Sequence, residues 1–227
     1  MTLPHHLKVR FMKMKATDKK TILTRYDIST ALLCLLGMIP GLVCWNRLPD
    51  VIPMHWGIDN QPDGWGSKAF VVFGLPLIMV ALHLICCLAD NLHTKAGTQP
   101  RAVRWITRII MPVLCLVLEC VTVLYVLDLF HNIGLVCCLL LGIMMIVIGN
   151  YLPKTRPNLT FGIKLPWTIH DEEVWNKTHR LAGWFMVAGG IIVLAATFLG
   201  AYVVSIVTIF IAVFLPILYS FVISRKK

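Results

Sequence analysis

Six apolar runs, nearly free of charge, alternate with polar stretches along the chain. A bilayer's hydrocarbon core is about 30 Å thick, which takes roughly 20 helical residues at 1.5 Å each. The runs extend from Ile28 to Trp45, Ala69 to Leu88, Ile109 to Leu129, Ile133 to Ile148, Leu181 to Leu199 and Tyr202 to Ile223. Their apolar residues are blocked rather than periodic, the mark of a span and not of a surface helix. Only Phe130, His131 and Asn132 separate the third run from the fourth, and only Gly200 and Ala201 the fifth from the sixth, so both pairs read as helical hairpins. The pattern predicts an all-α integral membrane protein of six transmembrane helices. It divides into a basic tail at 1–27, a two-helix unit at 28–88 with a polar loop at 46–68, a second loop at 89–108, and a four-helix region at 109–227 whose loop at 149–180 is the longest. In the first run, Gly37 and Gly41 flank Pro40, a spacing that favours close helix packing and a kink.

The charges set the expected orientation. Of 21 lysines and arginines, only Arg47 and Lys68 fall at one end of the bundle, in the 46–68 loop, which also carries Asp50, Asp59 and Asp63. The others lie in the tails and in the loops at the opposite end. Cytoplasmic segments carry the positive excess, so both termini are expected in the cytoplasm and the 46–68 loop outside. This bias accounts for the net charge of +10 without a nucleic-acid partner. A hydrophobic fraction of 58% excludes an ordinary soluble domain. The N-terminal stretch lacks an apolar core followed by a small-residue cleavage site, so it does not read as a cleaved signal peptide, and Met12 and Met14 are alternative starts to Met1. All eight cysteines sit within or beside the apolar runs, where a thiol behaves as a small hydrophobe; neither disulfides nor a metal site are expected of them.

Two loops carry the chemistry. In the 46–68 loop, Pro49 and Pro53 predict an extended strip and Pro62-Asp63-Gly64 a tight turn. Trp56 and Trp65 suit the headgroup level, which makes the loop either an anchored lid or a lid that contacts a ligand through His55, Trp56, Asp63 and Trp65. One histidine with loosely spaced carboxylates is too weak a set for a metal. In the 149–180 loop, Thr168 with Asp171 three residues on predicts a capped helix start, and Asp171, Glu172 and Glu173 favour its dipole. Glu173 and Lys177 form an i,i+4 pair. Val174, Trp175, Thr178, Leu181 and Ala182 share one side, so this helix is expected along the inner interface, anchored by Trp167 and Trp175, before turning into the fifth span.

These loops, in this order and three spans apart, resemble the SdpI family of bacterial membrane proteins. Leu48-Pro49, Ile52-Pro53-Met54-His55, Pro62-Asp63-Gly64 and Ser67-Lys68 are similar to the short domain of unknown function that often precedes the SdpI domain. Gly149-Asn150, Asn158, Gly162-Ile163-Lys164, Trp167-Thr168, the acidic run at Asp171, Val174-Trp175, His179-Arg180 and Gly183 follow the SdpI signature. One departure is Lys164, where the family usually has arginine; lysine keeps the charge but not the bidentate geometry. The resemblance implies a non-enzymatic immunity protein in the bacterial cell membrane. Such a protein protects its cell from a secreted membrane-active peptide and captures a transcriptional repressor at the membrane. It further implies partner-binding roles for Asn150, Asn158, Gly162, Lys164, Trp167, Thr168, Asp171, Trp175 and Arg180, with no cofactor.

Inside the spans, Glu119 lies near the middle of the third run and His83 in the second, about one to two helical turns apart in depth. A carboxylate there costs several kcal/mol unless it is paired, protonated or hydrated. Either the two form a pair, or Glu119 is neutral and hydrogen-bonded within the bundle. The pair motivates a second reading, a small proton-coupled transporter. No His-Glu-x-x-His, Gly-x-Ser-x-Gly or phosphate-cradling glycine loop is present to suggest an enzyme.

Overall fold

The computed structural model describes residues 23–57, 59–93, 99–158 and 161–225. The basic stretch at 1–22 with its alternative starts, Lys95, and the terminal Lys226 and Lys227 lie outside the described residues. Six helices are long and apolar enough to cross a membrane. The first is interrupted: α1 (Arg25–Cys34) passes through a 3-10 turn at Leu35–Gly37 into α2 (Met38–Val43), because Pro40 removes a helical N–H and crowds the turn before it. The second enters through a π-helical turn at Phe70–Gly74 and continues as α3 (Leu75–His93). The others are α4 (Arg101–Val126), α5 (Ile133–Tyr151), α7 (Glu172–Phe198) and α8 (Tyr202–Ser224), with a one-turn α6 (Pro166–Ile169) before α7.

Three boundaries differ from the expected ones, each for a local reason. Helix α1 starts at Arg25 because Thr24 and Asp27 cap each other reciprocally: Asp27 N–H donates to Thr24 Oγ1 at 3.2 Å and Thr24 N–H to Asp27 Oδ2 at 2.8 Å. Helix α4 starts at Arg101, so Arg101, Arg104 and Arg108, expected in a loop, are helical. Helix α7 runs unbroken from Glu172 into the fifth span, so no interfacial helix turns into it. Its N-cap is Asp171, whose Oδ1 accepts from Val174 N–H at 2.9 Å; Thr168 sits instead inside α6.

The spans form two groups of three. The first span packs against α3 and α4, and α5 packs against α7 and α7 against α8, while α4 and α5 touch sparsely. The third span thus packs with the first two rather than with the last three. The α5–α7 crossing is the closest: a Cβ on Gly149 would lie 2.9 Å from the Gly183 carbonyl, and one on Gly190 2.7 Å from the Gly142 carbonyl. Two glycines seven residues apart on each antiparallel helix therefore bring backbone against backbone. In the first span the expected close packing is present too, with Gly37 against Cys115 and Gly41 against Val72.

Between the first and second spans, an antiparallel hairpin of β1 (Val51–Trp56) and β2 (Pro62–Ser67) is the one exception to the helical fold among the described residues. The extended strip is β1. Pro62-Asp63-Gly64, expected as a turn, belongs to β2, and the chain reverses at 57–61, where Asn60 takes φ +63° and Gly57 N–H donates to Gln61 O at 2.8 Å. Ile52 anchors the hairpin in a core of Leu48, Val71, Val72 and Val123.

Candidate functional site

Three polar assemblies stand out, one at the hairpin end of the bundle and two at the opposite end. On the hairpin, His55 pairs across the strands with Gly64, whose lack of a side chain leaves room for the histidine Cβ. That register sets His55 Nδ1 against Asp63 Oδ1 at 2.5 Å, with both side chains largely exposed. A carboxylate only accepts, so Nδ1–H is the donor. Trp65 is 57% exposed on the hairpin's surface, whereas Trp56 is half-buried, edge-on to Tyr125 at 5.5 Å. Asn60 pins the turn to the start of α5, donating to His131 O at 2.8 Å and accepting from Gly134 N–H at 2.7 Å. Lys68 closes the other side: its Nζ donates to Leu48 O at 3.2 Å, lies 3.4 Å from Asp50 Oδ1, and sits over the Trp45 ring. The lid is thus a held platform displaying His55, Asp63 and Trp65.

At the opposite end the signature residues turn mostly inward. His179 accepts from Ile163 N–H through Nε2 at 2.9 Å and donates through Nδ1 to Trp175 O at 2.8 Å, so both ring nitrogens are committed. Trp175 stacks on it at 3.8 Å and donates to Thr155 O at 3.0 Å. Fully buried, Trp175 is a core residue and not an interfacial anchor. Gly162, at φ +123°, lies so close to His179 Nε2 that a Cβ would collide with it. Asn158 ties the loop together on both sides of itself, accepting from Phe161 N–H at 2.7 Å and donating to Arg156 O at 2.7 Å. Thr168 donates to Ile163 O at 2.7 Å, and Trp167 donates to Ser220 Oγ of α8 at 3.0 Å. The expected Glu173–Lys177 pair is present at 2.7 Å. What remains on the outer surface is Asn150, Lys164 and Arg180, which a partner can reach.

The third assembly escaped the sequence reading. Arg108 is 5% exposed and Asp27 fully buried; Arg108 Nε donates to Asp27 Oδ1 at 2.5 Å, Nη1 to Asp90 Oδ2 at 3.2 Å, and Nη2 to Asn91 Oδ1 at 3.2 Å. Asn91 Nδ2 returns a bond to Asp27 Oδ2 at 2.8 Å, so one guanidinium ties the first three spans together at the end that bears the termini. A sequence signal existed: Asp27 and Arg108 are opposite charges that each abut an apolar run at the same end. Reading Arg108 as a loop charge concealed it.

His83 and Glu119 do not pair. His83 Nε2 is 2.9 Å from Thr30 Oγ1 and 3.4 Å from Cys87 Sγ. Glu119 is buried beside Gly37 and Cys115, and its Oε2 has no hydrogen-bond partner among the described residues.

Comparison with known proteins finds two matching regions in the chain. Residues 154–220, from the signature loop through most of α8, match the SdpI/YfhL protein family, and residues 32–80, which hold the hairpin, match a domain of unknown function, DUF1648. The chain is 29% identical over 191 residues to the protein named Immunity protein SdpI from Bacillus subtilis (strain 168), covering 84% of this chain and 90% of that one. No solved structure matches. A region matching DUF1648 followed by one matching the SdpI/YfhL family, carried on six helices long and apolar enough to cross a membrane, makes this chain a multi-pass membrane protein similar to the SdpI family.

Proposed function

We propose that this protein is an SdpI-like immunity protein of the cell membrane, with both termini cytoplasmic. It protects its cell from a membrane-active peptide and holds a transcriptional repressor at the membrane. The observation that carries this reading is the similarity to a protein named Immunity protein SdpI along nearly the whole of both chains. The geometry fits it: the hairpin presents an aromatic, ion-paired surface at one end for a hydrophobic peptide, and the folded signature loop presents Asn150, Lys164 and Arg180 at the other for a protein. Deleting the gene should sensitise cells to a peptide encoded beside it, and the repressor should co-purify with the membrane protein. Unchanged survival together with no bound regulator would sink the proposal. Since His55 and Asp63 are exposed, His55→Ala and Asp63→Asn should lower protection while leaving the amount of folded protein unchanged.

A proton-coupled permease is the second reading, favoured by Glu119, a buried mid-span acid with an unpartnered oxygen. It has lost the histidine expected to share the proton, since His83 is bonded to Thr30. Glu119→Gln should abolish flux in vesicles on this reading and leave immunity intact on the first.

A further inference from the structure

The sparse contact between the two three-helix groups leaves an apolar groove between α4 and α5, about 330 Å³ in volume, lined by Ile109, Ile110 and Val113 on one side and Leu140, Ile143 and Met144 on the other. Trp105 also lines it, and the same tryptophan lines a second cavity of about 340 Å³ at the end bearing the termini. That second cavity is of opposite character. Its walls are Thr24, Tyr26, Asn91, Arg101, Arg104 and Arg108, with no carboxylate side chain among the described lining residues. Arg108 is committed to Asp27 and Asp90, but Arg101 and Arg104 are exposed and have no acidic partner among the described residues. Tyr26, edge-on to Trp105 at 4.7 Å, has a hydroxyl without a partner there.

We propose that the cationic cavity and the groove together bind one anionic phospholipid. Its phosphate lies between Arg101 and Arg104, whose planar guanidiniums match phosphate oxygens in pairs. Its glycerol region lies at Trp105, at the depth where indole rings settle. One acyl chain follows the α4–α5 groove, which extends about 12 Å from Trp105 to Val113 at the helical rise. The charge of the cavity selects the headgroup, and the groove distinguishes a lipid from a free anion. The bound chain fills the gap between the two helical groups, so the lipid also joins them.

The test uses the full-length protein in a neutral detergent, offered phosphatidylglycerol or phosphatidylcholine with the same chains, with retained lipid read by native mass spectrometry and stability by thermal unfolding. Phosphatidylglycerol should be retained and should raise the unfolding midpoint; phosphatidylcholine should do neither. Arg101→Gln with Arg104→Gln, both on the surface, should lower phosphatidylglycerol retention by roughly tenfold or more, on the scale of two arginines facing an anionic lipid. Ile143→Trp, which plugs the groove, should lower it too. Arg156→Gln, at the same end of the bundle because Gln99 bonds its backbone, should leave retention intact. Equal retention by the double arginine variant, equal retention of phosphatidylcholine, a midpoint shift reproduced by inorganic phosphate alone, or a dimer that closes the groove without lipid would each overturn the proposal.

Discussion

Arg108 holds three spans through one guanidinium, and its cost and value come from the same burial. Removing one partner of a buried, hydrogen-bonded charge pair strands the other, at a cost of about 3–5 kcal/mol. Arg108→Gln should therefore lower the apparent unfolding midpoint sharply in detergent. Combining it with Asp27→Asn should restore part of the loss, because the two effects share one interaction. A double variant as unstable as the two single losses added together would show that the residues act separately. Gly162 is a second decisive position. A side chain there meets both the positive φ and the ring of His179, so Gly162→Ala should cost about 1–3 kcal/mol. It should also open the signature loop, seen as faster tryptic cleavage at Lys164. Residue type alone reveals neither effect: the motif marks the signature residues as contacts for a partner, whereas Gly162, Trp175, His179, Thr168 and Asn158 form the loop's internal framework.

Among the elements, α5 and α7 show how small residues decide packing. Gly149 and Gly183 each lie against the other's carbonyl oxygen, so closely that Gly183→Ala would set its Cβ 2.8 Å from Gly149 O and 2.7 Å from Pro153 Cγ. That variant should destabilise the protein by about 1–3 kcal/mol, the usual cost of overpacking, as read by thermal unfolding. Gly134, near the start of α5, is the control. Its Cβ would come no nearer than 3.4 Å, to Asn60 Oδ1, so Gly134→Ala should stay within about 0.5 kcal/mol of the parent. Alanine is the better helix former, so propensity alone would stabilise both variants; a comparable loss at both sites would mean that the α5–α7 crossing is not what makes Gly183 costly to replace.

For the whole molecule, the proposed orientation, with the hairpin outside and both termini cytoplasmic, predicts a labelling pattern. With the native cysteines replaced by serine or alanine, Asp59→Cys on the hairpin turn should react with a membrane-impermeant maleimide in intact cells. His170→Cys, in the signature loop, should react only after permeabilisation. The reverse pattern would invert the proposed topology and put the surfaces proposed for a peptide and a repressor on the wrong sides. The two ends are also unlike in construction. The hairpin end is tied to the second group through Asn60, which bonds His131 O and Gly134 N–H, and the other end through Gln99, which bonds Arg156 O.

The sequence by itself determined the number of spans, their approximate limits, the hairpin-forming loops and the motifs that mark the family. Those properties depend on composition over some twenty residues, and the bilayer reads composition directly. Tertiary structure alone decided which spans group together, that Pro62-Asp63-Gly64 is strand rather than turn, that Trp175 is core rather than anchor, and that His83 turns to Thr30 and not to Glu119. It also revealed the Arg108 network and the paired cavities beside Trp105. The physical reason is common to all of these: each is a contact between residues far apart in the chain, set by helix crossings a few ångströms wide, and a hydropathy pattern carries depth in the membrane but not rotation about a helix axis.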